Sequence, residues 1–248
     1  MWLTFREGVW YTLDFWVWST LFEGGGVHPD PFNPTLLDTC KLRTLTMQTT
    51  VPPGQTFAKR WALYTALGVP KIDLATWHLT TKGLVEKELS LTFAELQQLP
   101  QVQLTKDFHC VTTWSIKDVV WEGVLFKELA KLTGVKPEAK WVMFHCADGY
   151  TAPVPLEDAM VEDSLIAFKM NGKLIPEPQG FPVRPFIPHL YGWKSAKWLT
   201  GIEFLAEYHD GYWELYGYHE RGNIWDEERF KGQGGKHVRH RGLGSVPV

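Results

Sequence analysis

Alternating hydrophobic and polar residues predict short strands in the body of the chain. Residues 76–85, with the sequence WHLTTKGLV from Trp77, alternate well enough to form a strand. Strand character returns at residues 102–110, Trp141–Cys146 and 198–205. Two further apolar runs flank Asn171-Gly172, which is the strongest short hairpin signal in the chain.

Helical patterns are short and lie between these strands. Thr92 and Glu95 form a capping-box pattern that opens the helix FAELQQL, and Pro100 ends it. Leu125, Leu129 and Leu132 share one face of a second helix, with Gly134 at its C-terminal cap. Short helices among short strands, without regular βαβ spacing, predict an α+β fold with a mixed sheet.

The ends of the chain differ from residues 47–230, which we predict to be one domain. Residues 1–46 are rich in Trp, Gly and Pro and weakly periodic, whereas a patterned segment begins at Met47. This extension is either not native or a genuine N-terminal arm, and the sequence leaves both explanations open. Residues 231–248 are Gly-rich and basic, and we expect a flexible tail there.

Composition narrows the class of protein. The 248 residues are 44% hydrophobic and 21% charged, with a net charge of -3, which gives no reason to expect a nucleic acid or a membrane as partner. Three cysteines are too few for a disulfide framework, which favours a reducing compartment. With no export signal visible, we expect a cytoplasmic protein.

Two segments carry a Cys where a predicted strand ends. In DFHCVTTWS, Cys110 is a candidate thiolate ligand or nucleophile, and the alternative is a small buried hydrophobic residue. In WVMFHCADGY, His145 and Cys146 suggest zinc, but adjacent strand residues point to opposite faces and suit one ion poorly. A Cys-His hydrolase using Cys110 and His145 is a further alternative.

The segment QGFPVRPFIPHLYGWKSAKW concentrates cationic residues among prolines and aromatic residues. Arg184, Lys194 and Lys197 with the Ser195 hydroxyl suit a phosphate group, although the glycine spacing of a Walker motif is missing. The alternative is an ordinary basic surface loop. A reactive thiol plus a phosphate site fits a phosphorylated, metal-carrying cofactor.

Taken together, these motifs resemble the sulfite-oxidase family of molybdopterin-dependent oxidoreductases. The likeness also covers SLTFAELQQLP, MNGKLIPEPQGFPVRP and GYHERGNIWDEERF, in the order and spacing of the small bacterial members. The resemblance implies a mixed-sheet molybdopterin fold, a molybdenum-molybdopterin cofactor and two-electron oxygen-atom transfer on a small molecule such as a sulfoxide, an N-oxide or sulfite. It also implies that electrons are exchanged with a separate, unidentified partner protein.

The resemblance also implies roles for single residues. Cys110 is the expected metal ligand, and it is catalytic together with Trp114 and Tyr150. The residues expected to bind the cofactor are His109, Thr151, Gln179, Arg184, Lys194, Ser195 and Lys197. Further candidates for substrate contact are His145, Asp148 and Trp193.

One departure from the family affects the substrate. Classical sulfite oxidases follow the ligand Cys with an arginine-containing segment, whereas here Val111, Thr112, Thr113 and Trp114 follow Cys110. Sulfite is therefore the least favoured of the three substrates, and the segment is closer to the methionine-sulfoxide reductase branch. A non-catalytic carrier of the molybdenum cofactor is the alternative from another functional class.

Overall fold

A computed structural model describes residues 51–232 in full and, from the preceding segment, the backbone of two paired strands. These are β1 (Leu3–Arg6) and β2 (Val9–Thr12), which run antiparallel. The chain divides into two compact units, residues 1–49 and 50–248. Most of the predicted extension 1–46 and of the predicted tail 231–248 lies outside the described residues, so both stay predictions.

The second unit contains short strands and three short helices in residues 51–232. Its strands are β3 (Thr56–Phe57), β4 (His78–Gly83), β5 (Leu89–Thr92), β6 (Gln101–His109), β7 (Trp114–Leu125), β8 (Trp141–Cys146), β9 (Thr151–Pro155), β10 (Leu165–Met170), β11 (Lys173–Leu174), β12 (Arg184–Phe186) and β13 (Leu199–Leu205). Its helices are α1 (Phe93–Gln98), α2 (Phe126–Thr133) and α3 (Leu156–Ala159).

These strands form two mixed sheets, which confirms the predicted α+β class. A six-stranded sheet has the order β11-β10-β7-β3, with β12 on β10 and β6 on β7. A five-stranded sheet has the order β5-β4-β13-β8-β9. Most neighbours are antiparallel, but β3 runs parallel to β7 and β13 runs parallel to β4.

Local sequence signals set several boundaries as predicted. The capping box is present, because the Glu95 N–H donates to Thr92 Oγ1 at 3.2 Å and the Thr92 N–H donates to Glu95 Oε2 at 2.8 Å. Gly134 ends α2 in the left-handed region at φ 66°. Asn171 and Gly172 both have positive φ, as the tight hairpin between β10 and β11 requires.

The predicted face of α2 is wrong in part. The helix begins at Phe126, so Leu125 precedes it, and Leu132 is 48% exposed. The buried residues of the helix are Phe126, Leu129, Ala130 and Thr133. The buried face is therefore the one that contains Phe126, Leu129 and Thr133, and Leu132 lies outside it.

The main hydrophobic core lies between the two sheets. It joins Val124 and Phe168 of the six-stranded sheet to Phe144 and Phe204 of the five-stranded sheet. A second cluster covers the opposite face of the six-stranded sheet and includes Trp121. Because buried apolar clusters pack on both of its faces, this sheet gives a rigid support for the turn after β6.

Candidate cofactor site

Cys110 is the first residue after β6, in the turn that leads into β7. Its N–H donates to the Trp114 carbonyl at 2.9 Å, and the Thr113 N–H donates to the Cys110 carbonyl at 3.1 Å. Thr113 is in the left-handed region at φ 77°. The Cys110 sulfur is only partly buried and lies 3.2 Å from Thr112 Oγ1. The thiol is therefore accessible at a point where the backbone is fixed.

The second thiol, Cys146, has a different environment. It is 8% exposed within the main core, and burial raises the pKa of its thiol well above the usual value. Such a thiol stays protonated, and a protonated thiol is a poor nucleophile and a poor metal ligand. Of these two cysteines, Cys110 is the more accessible to a bound cofactor.

The tertiary structure brings the two sequence motifs together at Gly192. The Gly192 N–H donates to the His109 carbonyl at 2.7 Å. A Cβ at position 192 would lie 2.2 Å from the Phe108 ring, so only glycine allows this approach. The cationic segment is thus held against the end of β6, one residue from Cys110.

Arg184, in β12, is a buried cation with 4% exposure. Its guanidinium donates to Ser195 Oγ at 2.9 Å, to the Ser195 carbonyl at 2.7 Å and to the Gln179 carbonyl at 2.8 Å. None of these described partners is a carboxylate, and burial lowers the pKa of Arg184 to about 10. A buried charge without a counter-charge is costly, so this position favours an anionic ligand.

Lys197 is a second cation whose pKa is lowered by burial. Its ammonium donates to the Tyr64 carbonyl at 2.6 Å and lies 4.5 Å from the centre of the Trp198 ring. Burial, and then the charge of Arg184, lower its pKa to about 8. Asp148 counteracts this shift only in part, and burial raises the pKa of that carboxyl. The Arg184–Lys197 pair therefore concentrates positive charge that a bound anion would stabilise.

Lys194 differs from both, although it lies in the same motif. It is 1% exposed and forms an ion pair with Glu214 at 2.7 Å. Its ammonium also donates to the Pro153 carbonyl at 2.7 Å and to the Glu220 carbonyl. All three ammonium protons are therefore used within the protein, and the expected role of Lys194 at the phosphate stays a prediction.

Ser195 also has its hydroxyl engaged. The hydroxyl accepts from Arg184 Nε and donates to the Pro185 carbonyl. Its position supports the guanidinium of Arg184, and the expected contact of the hydroxyl with a phosphate stays a prediction. Gln179 is buried beside it, and the Gln179 carbonyl holds the same guanidinium.

Three other residues predicted for the site are His109, Thr151 and Trp114. His109 is 5% exposed, burial lowers its pKa, and its Nδ1 lies 2.8 Å from Ser115 Oγ. The Thr151 carbonyl, at the start of β9, accepts from the Tyr212 N–H at 3.0 Å. Trp114 packs against Phe108, with ring centres 5.9 Å apart.

Tyr150 and Trp193 are linked to each other. The Tyr150 hydroxyl donates to the Trp193 carbonyl at 2.7 Å, and burial raises the pKa of Tyr150 well above its usual value. The Trp193 indole N–H donates to Glu214 Oε1 at 2.9 Å. These bonds fix both side chains and keep the Tyr150 hydroxyl protonated.

His145 does not join the site, so the expectation of a substrate contact there is wrong. Its Nε2 lies 2.7 Å from Glu203 Oε2, and Lys82 pairs with the same carboxylate at 3.5 Å. Cys146, next in β8, points into the core, so His145 points to the opposite face of the five-stranded sheet. This placement removes the base of the Cys-His hydrolase alternative.

The zinc alternative also lacks a ligand set. Within the described residues, no group of three or more His, Cys, Asp and Glu side chains could hold a metal ion.

In the part of the chain that the structure describes, no helix is long and apolar enough to cross a membrane.

Sequence reasoning missed several residues near Cys110. Gln55 Nε2 donates to the Cys110 carbonyl at 3.1 Å, and Arg229 donates to the Val111 carbonyl. Burial raises the pKa of Tyr218 to about 12, and the nearby Cys110 sulfur adds to this rise. Tyr218 and Arg229 lie within the quoted GYHERGNIWDEERF motif, whereas no local pattern distinguished Gln55.

Comparison with known proteins identifies the family. The model of the oxidoreductase molybdopterin binding domain matches residues 66–213. The chain belongs to this family. It is therefore an oxidoreductase of the sulfite-oxidase type, and its cofactor is molybdenum-molybdopterin.

The relatives of this molybdopterin oxidoreductase include proteins with and without a described activity. An uncharacterized oxidoreductase of Bacillus subtilis, YuiH, is 42% identical over 181 residues, which cover 73% of this chain and 91% of the relative. The putative protein-methionine-sulfoxide reductase subunit YedZ1 of Azospira oryzae is 33% identical over 150 residues, or 60% of this chain and 57% of the relative.

A solved structure shares the fold. The sulfane dehydrogenase SoxCD of Paracoccus pantotrophus matches with a TM-score of 0.54 at 21% identity, covering 78% of this chain and 58% of that one. The chain thus spans somewhat more than half of the length of SoxCD and of the Azospira relative.

The residues of the site fit this cofactor chemically. Molybdenum bound by a pterin dithiolene takes a soft thiolate as a further ligand, and Cys110 is an accessible thiol. The cofactor also carries a phosphate, and Arg184 is a buried cation while Lys197 is a partly buried one.

Proposed function

We propose that this enzyme transfers an oxygen atom to or from a small neutral substrate, such as a sulfoxide or an N-oxide, and exchanges electrons with a separate partner protein. The observation that carries the proposal is the accessible Cys110 thiol, held one residue from a segment that contains Arg184 and Lys197. When bound, the cofactor supplies the two-electron oxygen-atom transfer.

We assign the following roles to the residues of the chain. Cys110 provides the one protein ligand to molybdenum, and Arg184 and Lys197 bind the anionic end of the pterin. Because Arg184 is held by three hydrogen bonds, its charge is fixed in place before the cofactor arrives. The partly buried ring of Tyr150 packs against the main core, and its hydroxyl is tied to the Trp193 carbonyl.

The surroundings of Cys110 favour a neutral substrate over an anion. Val111, the next residue, packs in an aromatic cluster with Tyr191, Trp193, Trp213 and Tyr218. The nearby cation Arg229 donates to the Val111 carbonyl and lies 4.8 Å from the centre of the Tyr191 ring. Arg229 also forms an ion pair with Glu227 at 3.8 Å, so its charge already has a counter-charge and an anion such as sulfite gains little here. The Azospira relative, named as a methionine-sulfoxide reductase subunit, supports a sulfoxide.

A metal and pterin analysis, followed by a pair of variants, tests this function. Protein from a host that makes the cofactor should contain nearly stoichiometric molybdenum and a fluorescent oxidised pterin. With an artificial electron donor, it should reduce dimethyl sulfoxide or trimethylamine N-oxide. The Cys110→Ser variant should lose turnover because a serine hydroxyl is a harder and far less acidic ligand.

The matched control is His145→Gln, which lies on the outer face of the five-stranded sheet and should keep wild-type activity. Undiminished turnover in Cys110→Ser would exclude Cys110 as the ligand. Zinc, or no metal, in well-folded wild-type protein would contradict the proposed reaction.

A further inference from the structure

A short segment before the family match wraps the Cys110 turn. We define residues 53–58 as the strap. Within it, β3 pairs in parallel with the start of β7, and the Thr56 N–H donates to the Thr113 carbonyl at 2.9 Å. The Ala58 N–H donates to the Ser115 carbonyl at 2.8 Å. The strap thus lies along the turn that carries the thiol, although it precedes residues 66–213 of the family model.

The side chain of Gln55 extends this pairing into the buried interior. It is 7% exposed, its Nε2 donates to the Cys110 carbonyl at 3.1 Å, and its Oε1 accepts from Ser115 Oγ at 3.0 Å. The Cys110 carbonyl can only accept, so the amide nitrogen must face it and the amide oxygen must face Ser115. Both ends of the amide are therefore committed.

The same reasoning extends to His109. A serine hydroxyl has one proton, and Ser115 donates it to Gln55. His109 Nδ1, 2.8 Å from the same hydroxyl, must therefore be the donor. The result is one directed chain of hydrogen bonds from His109 through Ser115 and Gln55 to the Cys110 carbonyl, and its side chains are all buried.

We propose that Gln55 is a positioning residue that fixes the direction of the Cys110 thiolate toward the metal. The Cys110 N–H is held by Trp114, and its carbonyl accepts from both Thr113 and Gln55. With both backbone groups fixed, the Cα–Cβ bond of Cys110 has one direction. This inference rests on the proposed role of Cys110 as ligand, and it places the strap, outside the matched domain, in the cofactor site.

Two Gln55 variants separate positioning from folding. Gln55→Met is similar in volume but forms neither hydrogen bond. Gln55→Glu keeps an acceptor for Ser115 and loses the donor to the Cys110 carbonyl. Gln103→Met is the matched control, because Gln103 is exposed on β6, the strand that leads to Cys110.

The first measurement uses protein made in a host without the cofactor. Iodoacetamide labelling, followed by peptide mass spectrometry, gives the alkylation rate of Cys110, with the buried Cys146 as an internal reference. Both Gln55 variants lose the hydrogen bond to the Cys110 carbonyl, which leaves the turn less restrained. Alkylation of Cys110 should therefore be about two- to ten-fold faster in both. The Gln103→Met control should react at the wild-type rate.

The second measurement uses the loaded enzyme at equal molybdenum content. The sulfur-to-metal charge-transfer absorption should shift in both Gln55 variants and stay unchanged in Gln103→Met. Wild-type alkylation rates and an unshifted band in either folded Gln55 variant would overturn the proposal. If Gln55→Met does not fold, Gln55→Glu gives the same comparison by itself, because it also lacks the donor to the Cys110 carbonyl.

Failure of the proposed function has a different signature. If the wild-type protein holds no molybdenum, the absorption band is missing from all variants. The alkylation rates then still report whether Gln55 restrains Cys110.

Discussion

Replacing Lys197 should leave the stability of the cofactor-free protein nearly unchanged but weaken the binding of the cofactor. We consider Lys197→Met, which keeps the length of the side chain and removes its charge. The ammonium binds the Tyr64 carbonyl and lies over the Trp198 ring, and burial and Arg184 lower its pKa from 10.5 to about 8. The cofactor-free protein therefore holds this charge at a cost.

That cost can be estimated from the pKa. At about 1.4 kcal/mol for each pH unit, the fall from 10.5 to about 8 corresponds to about 3.5 kcal/mol, which we halve to about 1.8 kcal/mol because the group is partly exposed. Against this gain, Lys197→Met loses a hydrogen bond worth about 1 kcal/mol and a ring contact worth about 0.5 kcal/mol. The free energy of unfolding of the cofactor-free protein should therefore stay nearly unchanged.

Cofactor binding should respond much more strongly. A hydrogen bond between an ammonium and a phosphate contributes about 1.5 to 3 kcal/mol, so the affinity should fall by about ten- to hundred-fold. The direction in which stability changes with pH also follows from the pKa of Lys197. Between about pH 8 and 10.5 the unfolded chain binds more protons at Lys197 than the folded chain, so wild-type stability should rise with pH there. This rise should be smaller in Lys197→Met.

The assay compares two preparations of each protein. Thermal unfolding is measured on protein from a host without the cofactor, and the molybdenum-to-protein ratio on protein from a host in which the cofactor is limiting. Lys173→Met, at the exposed hairpin after β10, is the control and should behave as wild type. Wild-type molybdenum content in Lys197→Met would refute the assignment of Lys197 to the phosphate. A large loss of stability without the cofactor would show that its role is structural.

Two further predictions concern buried charges outside the phosphate-binding pair. Glu214→Gln removes the counter-charge of the buried Lys194 and should lower the free energy of unfolding by about 3 to 5 kcal/mol, measured by urea denaturation; an unchanged midpoint would contradict the ion pair. Burial would raise the pKa of Asp158, but hydrogen bonds from His189 and Arg221 outweigh it and lower the pKa to about 2. About 2 kcal/mol of stability should thus be present above pH 4 and be lost as the pH falls toward 2; Asp158→Asn should lack this acid dependence, and an identical pH profile would refute it.

The sequence by itself determined the features that depend on neighbouring residues. The capping box at Thr92 and the Asn171-Gly172 hairpin each rest on contacts within a few residues, and the strand that leads to Cys110 shows in its alternating residues, so local patterns predict all three. The motifs on either side of the site were also visible, because a Cys after a strand and a cluster of cations are chemical signals. Their assignment to a molybdopterin enzyme came from the resemblance of several motifs in order.

Only the tertiary structure decided which of these side chains act together. Lys194 and Lys197 look alike in the sequence, but Glu214, distant along the chain, takes one of them into an ion pair. His145 and Cys146 are adjacent, yet the pleat of β8 sends them to opposite faces. Gln55 carries no pattern of its own, because its role depends on the parallel pairing of β3 with β7 and on a side-chain hydrogen bond to the carbonyl of Cys110, 55 residues away. Long-range pairing of this kind leaves no periodic trace, so the sequence could supply the reactive groups but not their partners.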